Sequence, residues 1–113
     1  MTLSERDLIY VEHMLECIER IERFVERDRN TFIQSDLVQD AVVRNLQVLA
    51  ESSQRLSEDV KDTQLHVDWR AISGFRNVLV HDYMGLDLEA IWLVIENDLP
   101  DLKKALNTIL AVR

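Results

Sequence analysis

Three side chains suited to phosphate chemistry fall within one short run of the sequence. Arg76, His81 and Tyr83 belong to Gly74-Phe75-Arg76-Asn77-Val78-Leu79-Val80-His81-Asp82-Tyr83. Their types suit cleavage of RNA without a metal. A 2′-hydroxyl that attacks the neighbouring phosphate must lose a proton, the phosphorane must meet cationic donors, and the departing 5′-oxygen must gain a proton. Histidine exchanges protons near neutral pH. Arginine supplies a planar cationic fork that matches phosphate oxygens. At about 100° per residue, Arg76 and Tyr83 lie about 20° apart on a helix, whereas His81 lies about 140° from Arg76. One helix cannot easily aim both Arg76 and His81 at a single phosphate, but two copies facing across a two-fold axis can. The spacing therefore predicts a site shared by a homodimer. His81 is expected in the last turn of its helix, where the dipole favours the protonated form. An arginine and a histidine on a helix surface, with a tyrosine near its end, are also ordinary structural residues. The residue types alone leave both readings open.

Other candidates carry less chemistry. His66 and Asp68 have an H-x-D spacing, but with no third or fourth ligand in view no metal site is expected. His13 falls on the charged side of its helix and is expected to be exposed. Trp92 fits either the core or a dimer contact, and Arg44 and Arg70 fit either an RNA path or structural ion pairs. The single cysteine, Cys17, excludes an intramolecular disulfide and a zinc site of several thiolates. It suits a reducing cytoplasm and reads as a small core residue.

The elements that must position these groups are helices. With 113 residues the chain is expected to form a single domain over 1–113, and two glycines and one proline are too few for a sandwich or barrel. From Ser4 to about Asp28 the positions Val11, Met14, Ile18, Ile21 and Val25 repeat at spacings of three and four, the stripe of an amphipathic helix. Ser4 with Asp7 resembles a capping box, and Glu16–Arg20 and Glu19–Arg23 are acid-first i,i+4 pairs. Asp28 to Thr31 breaks the pattern. Ser35 can cap a second helix to about Leu56 that buries Leu37 or Val38 with Ala41, Val42, Leu46 and Leu49. Residues 57–67 read as a loop with room for a helical turn. Asp68 caps a third helix through Trp69, Ile72, Phe75 and Leu79 to near Met84, with Gly85 available for a left-handed cap. Asp87 opens a fourth, which Pro100 interrupts, and Asp98 can cap the continuation. The expected architecture is an all-α antiparallel bundle of four to five helices.

Charge narrows the function. Thirteen Lys and Arg against 21 Asp and Glu give −8, the wrong sign for coating nucleic acid through a broad basic face. Any such contact must be local. Residues 61–86, with three basic and three acidic groups, are the stretch without excess negative charge, and they contain His66 and His81. The longest apolar run, Ala90 to Ile95, is far shorter than the ~18 residues of a membrane span, so no membrane partner is expected. Glu5 and Asp7 stand where a secretory signal carries positive charge, which argues against export.

At Arg76, His81 and Tyr83 the sequence resembles the HepT-like toxins of the HEPN superfamily, whose signature is Arg, four residues, His, one residue, Tyr. Asn77 matches the polar residue often seen after the arginine. The likeness extends to Asp40-Ala41-Val42-Val43-Arg44-Asn45-Leu46-Gln47-Val48-Leu49, to Trp69-Arg70-Ala71-Ile72 and to Asn97-Asp98-Leu99-Pro100. Asp68 stands where proline is common, and Met84 where an aromatic is common. The resemblance implies a metal-independent endoribonuclease of a toxin–antitoxin pair, with Arg76 and His81 catalytic and Asn77 supporting. It also implies neutralisation by a minimal nucleotidyltransferase antitoxin that moves AMP from ATP, with a divalent cation, to Tyr83. The toxin itself would need no cofactor. Adenylylation would place bulk and negative charge in a groove meant for an anionic backbone. The competing expectations are a non-catalytic HEPN-like dimer that holds a nucleotide or a protein, and a plain structural dimer.

Overall fold

The computed structural model describes residues 3–75 and 85–112 of the chain. Its elements are α1 (Glu5–Val25), α2 (Arg29–Gln34), α3 (Asp36–Arg55), α4 (Glu58–Asp62), α5 (Trp69–Ser73), α6 (Leu88–Leu93) and α7 (Leu99–Ala111), with a π-helical turn (Val94–Asp98) between the last two. The all-α expectation holds, and none of the described helices is long and apolar enough to cross a membrane.

α1 begins where Ser4 Oγ accepts from the Asp7 N–H at 3.0 Å. Only half of the expected capping box forms, because the Asp7 carboxylate turns to Ser57 instead. The helix ends at Val25, three residues before the expected Asp28, since Glu26 and Arg27 both adopt positive φ. Glu16 and Arg20 close their pair at 2.6 Å; the expected Glu19–Arg23 pair is not formed. The expected break at Asp28 to Thr31 is instead the start of α2. Asp28 caps this turn by accepting from the Asn30 N–H, and Phe32, wholly buried, anchors it. Short as it is, α2 survives through this tertiary contact rather than through propensity.

Ser35 caps α3 as expected, accepting from the Val38 N–H at 3.1 Å. Leu37 is 81% exposed, so Val38 is the residue turned inward. Asp7 meets Ser57, Tyr10 meets Arg55, and Cys17 and Arg20 share a hollow with Arg44 and Asn45. α1 and α3 are therefore antiparallel, and this pair is the most extensive among the described elements. Val11, Met14, Ile18 and Ile21 interlock with Val42, Leu46 and Leu49, all fully buried, each such side chain contributing ~1.5–3 kcal/mol relative to exposure. α7 returns along α1, where Lys103 Nζ bridges Glu22 at 2.9 Å. Arg29 pairs with Glu89, tying α2 to α6. Trp92 stacks on Phe32 with ring centroids 6.0 Å apart, which places it in the core, and Cys17 is buried as expected.

The remaining expectations meet different outcomes. Residues 57–67 do contain a helical turn, α4, capped by Ser57. The third helix starts with Asp68 accepting from the Ala71 N–H but closes at Gly74, whose N–H reaches back to Arg70 and Ala71. The expected continuation to Met84 lies outside the described residues; Gly85 has φ +107°. Asp87 caps α6 as expected. Asp98 does not cap α7: its backbone stays helical and its side chain makes no cap bond. The chain instead widens into the π turn, where the Leu99 N–H reaches the Val94 carbonyl. Pro100 has no N–H to donate and its ring would clash with the carbonyl four residues back, so widening the preceding turn admits it without a break.

Candidate functional site

Arg76, Asn77, His81 and Tyr83 all lie outside the described residues. The structure does describe what holds the two ends of their segment. On the leading side, Gln54 Nε2 of α3 donates to the Ser73 carbonyl at 3.1 Å. The Ser53 and Ser73 hydroxyls are also 3.1 Å apart. Ser53 Oγ donates to the Ala50 carbonyl at 2.8 Å, so Ser73 is the donor to Ser53. Phe75, one residue before Arg76, is 2% exposed and lodged in the core. On the trailing side, Leu86 and Leu88 pack against the core and Asp87 Oδ1 accepts from the Ala90 N–H at 3.1 Å. The described residues that precede the segment are thus tied to α3, and those that follow it lead into α6.

α3 presents a polar face beside the Ser73 anchor. Arg44, Gln47, Glu51, Gln54 and Arg55 line an open hollow of about 590 Å³ on that face, with Val48 and Ala50 at its floor. A second hollow of about 270 Å³ lies in the groove towards α1, between His13, Glu16, Cys17, Arg20, Arg44, Asn45 and Val48. Arg44 and Arg55 have no carboxylate partner among the described residues. His13 is exposed as expected.

Tyr10 was not legible as part of any site. Its ring lies 5.9 Å from the Arg6 guanidinium and 6.0 Å from that of Arg55, and His13 meets its edge at 6.1 Å. The available signal was the stripe Arg6, Tyr10, His13, Cys17, Arg20, spaced four, three, four and three along α1, which flanks the apolar stripe that defines the helix.

His66 and Asp68 lie with Asp98 and Asp101 around a hollow of about 160 Å³ between α5 and α7. Burial, with Asp101 and Asp68 nearby, pushes the Asp98 carboxyl above its ordinary range. Among the described residues no group of His, Cys, Asp or Glu is arranged to hold a metal ion. Asp7 shows the opposite balance. Burial works to raise its pKa, but the N–H and hydroxyl of Ser57, at 2.9 and 2.8 Å, outweigh it, helped by Ser4 and Arg6, and the net shift is downward. The Cys17 thiol is pushed up by burial and is a poor nucleophile.

Comparison with known proteins assigns this helical chain to a class of ribonuclease-like proteins. Residues 14–109 match the family model described as Ribonuclease HepT-like, and the chain belongs to that family. It is 34% identical over 104 residues to the "Probable ribonuclease HepT" of Thermococcus cleftensis, a match covering 91% of this chain and 93% of that one. A "Putative RNase" of Caldanaerobacter subterraneus is 32% identical over 102 residues, covering 89% of this chain and 91% of the relative. The "Gamma-glutamylcyclotransferase and putative RNase" of Methanocaldococcus jannaschii is 32% identical over 103 residues. That match covers 90% of this chain but 46% of the relative, so the chain spans about half the length of that protein. No solved structure matches the chain.

Proposed function

We propose that the chain is a metal-independent endoribonuclease toxin that works as a homodimer, with Arg76 and His81 at a cleft between the two copies. The observation that carries this reading is the Arg76, His81, Tyr83 spacing in a chain of the HepT-like ribonuclease family. His81 exchanges the protons of the attacking 2′-hydroxyl and the leaving 5′-oxygen. Arg76 stabilises the phosphorane, and Asn77 supports it with a neutral donor. Tyr83 is the acceptor for AMP: its hydroxyl, losing its proton, attacks the α-phosphorus of ATP held with a divalent cation by a minimal nucleotidyltransferase, and pyrophosphate leaves. The phosphodiester so formed pairs with the catalytic arginine and repels incoming RNA.

Purified protein should cleave RNA in excess chelator and leave a 2′,3′-cyclic phosphate. His81→Ala and Arg76→Ala should each lower cleavage by ~10²-fold or more, the scale of a lost acid–base or oxyanion contribution, with helicity unchanged. Cleavage retained by His81→Ala, or lost from the wild type with chelator, overturns the assignment. Co-expression with the nucleotidyltransferase should add adenylyl mass to the wild type and none to Tyr83→Phe.

A further inference from the structure

We propose that the joint face of α1 and α3 is a binding platform for single-stranded RNA, on which Tyr10 stacks a base and Arg44 and Arg55 hold phosphates. This inference rests on the ribonuclease reading and extends it to residues far in sequence from the motif. The platform is continuous. The hollow on α3 and the one towards α1 share Arg44 and Val48 as walls, and Arg55 at the far end of the first reaches the Tyr10 ring. From Arg44 to Arg55 the helix rises about 16 Å, enough for more than one phosphate.

Its chemistry suits a polynucleotide. Single-strand binding combines a cationic track with aromatic or guanidinium planes on which bases stack. Here Tyr10 is flanked by two guanidiniums, those of Arg6 and Arg55. Arg6, Arg44 and Arg55 have no carboxylate partner among the described residues, in a chain of net charge −8. A protein partner would call for an apolar centre, whereas these walls are mainly Arg, Gln and Glu. The platform also adjoins the residues that precede the motif, because Gln54, a wall of the larger hollow, donates to the carbonyl of Ser73, three residues before Arg76 in the sequence.

The test uses the full chain and a fluorescent single-stranded RNA with 2′-O-methyl sugars, which binds but offers no attacking hydroxyl. Binding is followed by anisotropy across a salt series, and cleavage of the unmodified RNA is followed separately. Tyr10→Leu, which keeps apolar bulk for packing, should bind about tenfold more weakly, and Tyr10→Phe like the wild type. Arg44→Gln and Arg55→Gln should each reduce the logarithmic salt slope by about 0.7. On unmodified RNA these variants should raise KM and leave kcat within about twofold. Wild-type affinity and salt slope in all the variants would overturn the platform and leave the ribonuclease reading standing. Platform-dependent binding with no cleavage by the wild type would support the platform and overturn the ribonuclease reading. Loss of self-association by the variants with unchanged RNA affinity would make the face a protein interface and overturn the proposal.

Discussion

Asp7 illustrates how one carboxylate can join distant parts of the chain. It stands in the first turn of α1 and receives two hydrogen bonds from Ser57, fifty residues on, which itself caps α4. Because the folded-state pKa is depressed, the stabilisation is fully present above the ordinary aspartate value near 3.8. It is lost as the pH falls through the lower folded value. Asp7→Asn should therefore cost about 1–3 kcal/mol at pH 7, the scale of hydrogen bonds to a charged group. Urea unfolding in strongly acidic buffer should show a much smaller difference between the two proteins. A loss that stays constant with pH would mean that the charge contributes nothing. Ser53 and Gln54 perform the same kind of service for Ser73, holding the lead-in to the Arg-His-Tyr segment against α3.

The helices differ in how openly the sequence announces them. α1 and α3 are written in the spacing of Val11, Met14, Ile18 and Ile21 and of Val42, Leu46 and Leu49, and the caps Ser4, Ser35, Asp68 and Asp87 all act as hydrogen-bond acceptors. α2 was not legible because it has a single apolar pair, Phe32-Ile33, and no period can be read from one turn. Its stability comes from Trp92, sixty residues away, stacking on Phe32. Phe32→Ala should accordingly cost about 3–5 kcal/mol, read from the urea midpoint, and should weaken the hold of α2 on α6. The π turn was hidden for a related reason: proline signals interruption, but whether the chain breaks or widens depends on the packing of Val94, Ile95 and Leu99. Of the candidate site, the Arg76, His81 and Tyr83 spacing is visible in the sequence, whereas the Tyr10 platform is not. Its members sit on two helices brought together only by the fold.

As a whole, the molecule is an acidic helical body, and Arg6, Arg44 and Arg55, without a carboxylate partner among the described residues, belong to its α1 and α3 faces. The proposed shared site would need two copies, so sedimentation at micromolar concentration should give twice the 13.3 kDa chain mass. A monomer with full ribonuclease activity would contradict the shared cleft. The bond between Asp7 and Ser57 also bears on how the chain reaches this state. Within the antiparallel pair, contacts near the turn between α1 and α3 close short loops, whereas Asp7 and Ser57 sit at its open end and close one of some fifty residues. Loop closure grows costlier with length, so the pair should zip from the turn outward and engage this carboxylate after the rate-limiting barrier. In stopped-flow measurements Asp7→Asn should leave the refolding limb almost unmoved and steepen the loss through faster unfolding, giving a φ-value near zero. The carboxylate then acts as a latch that sets how long the folded protein lasts rather than how quickly it forms.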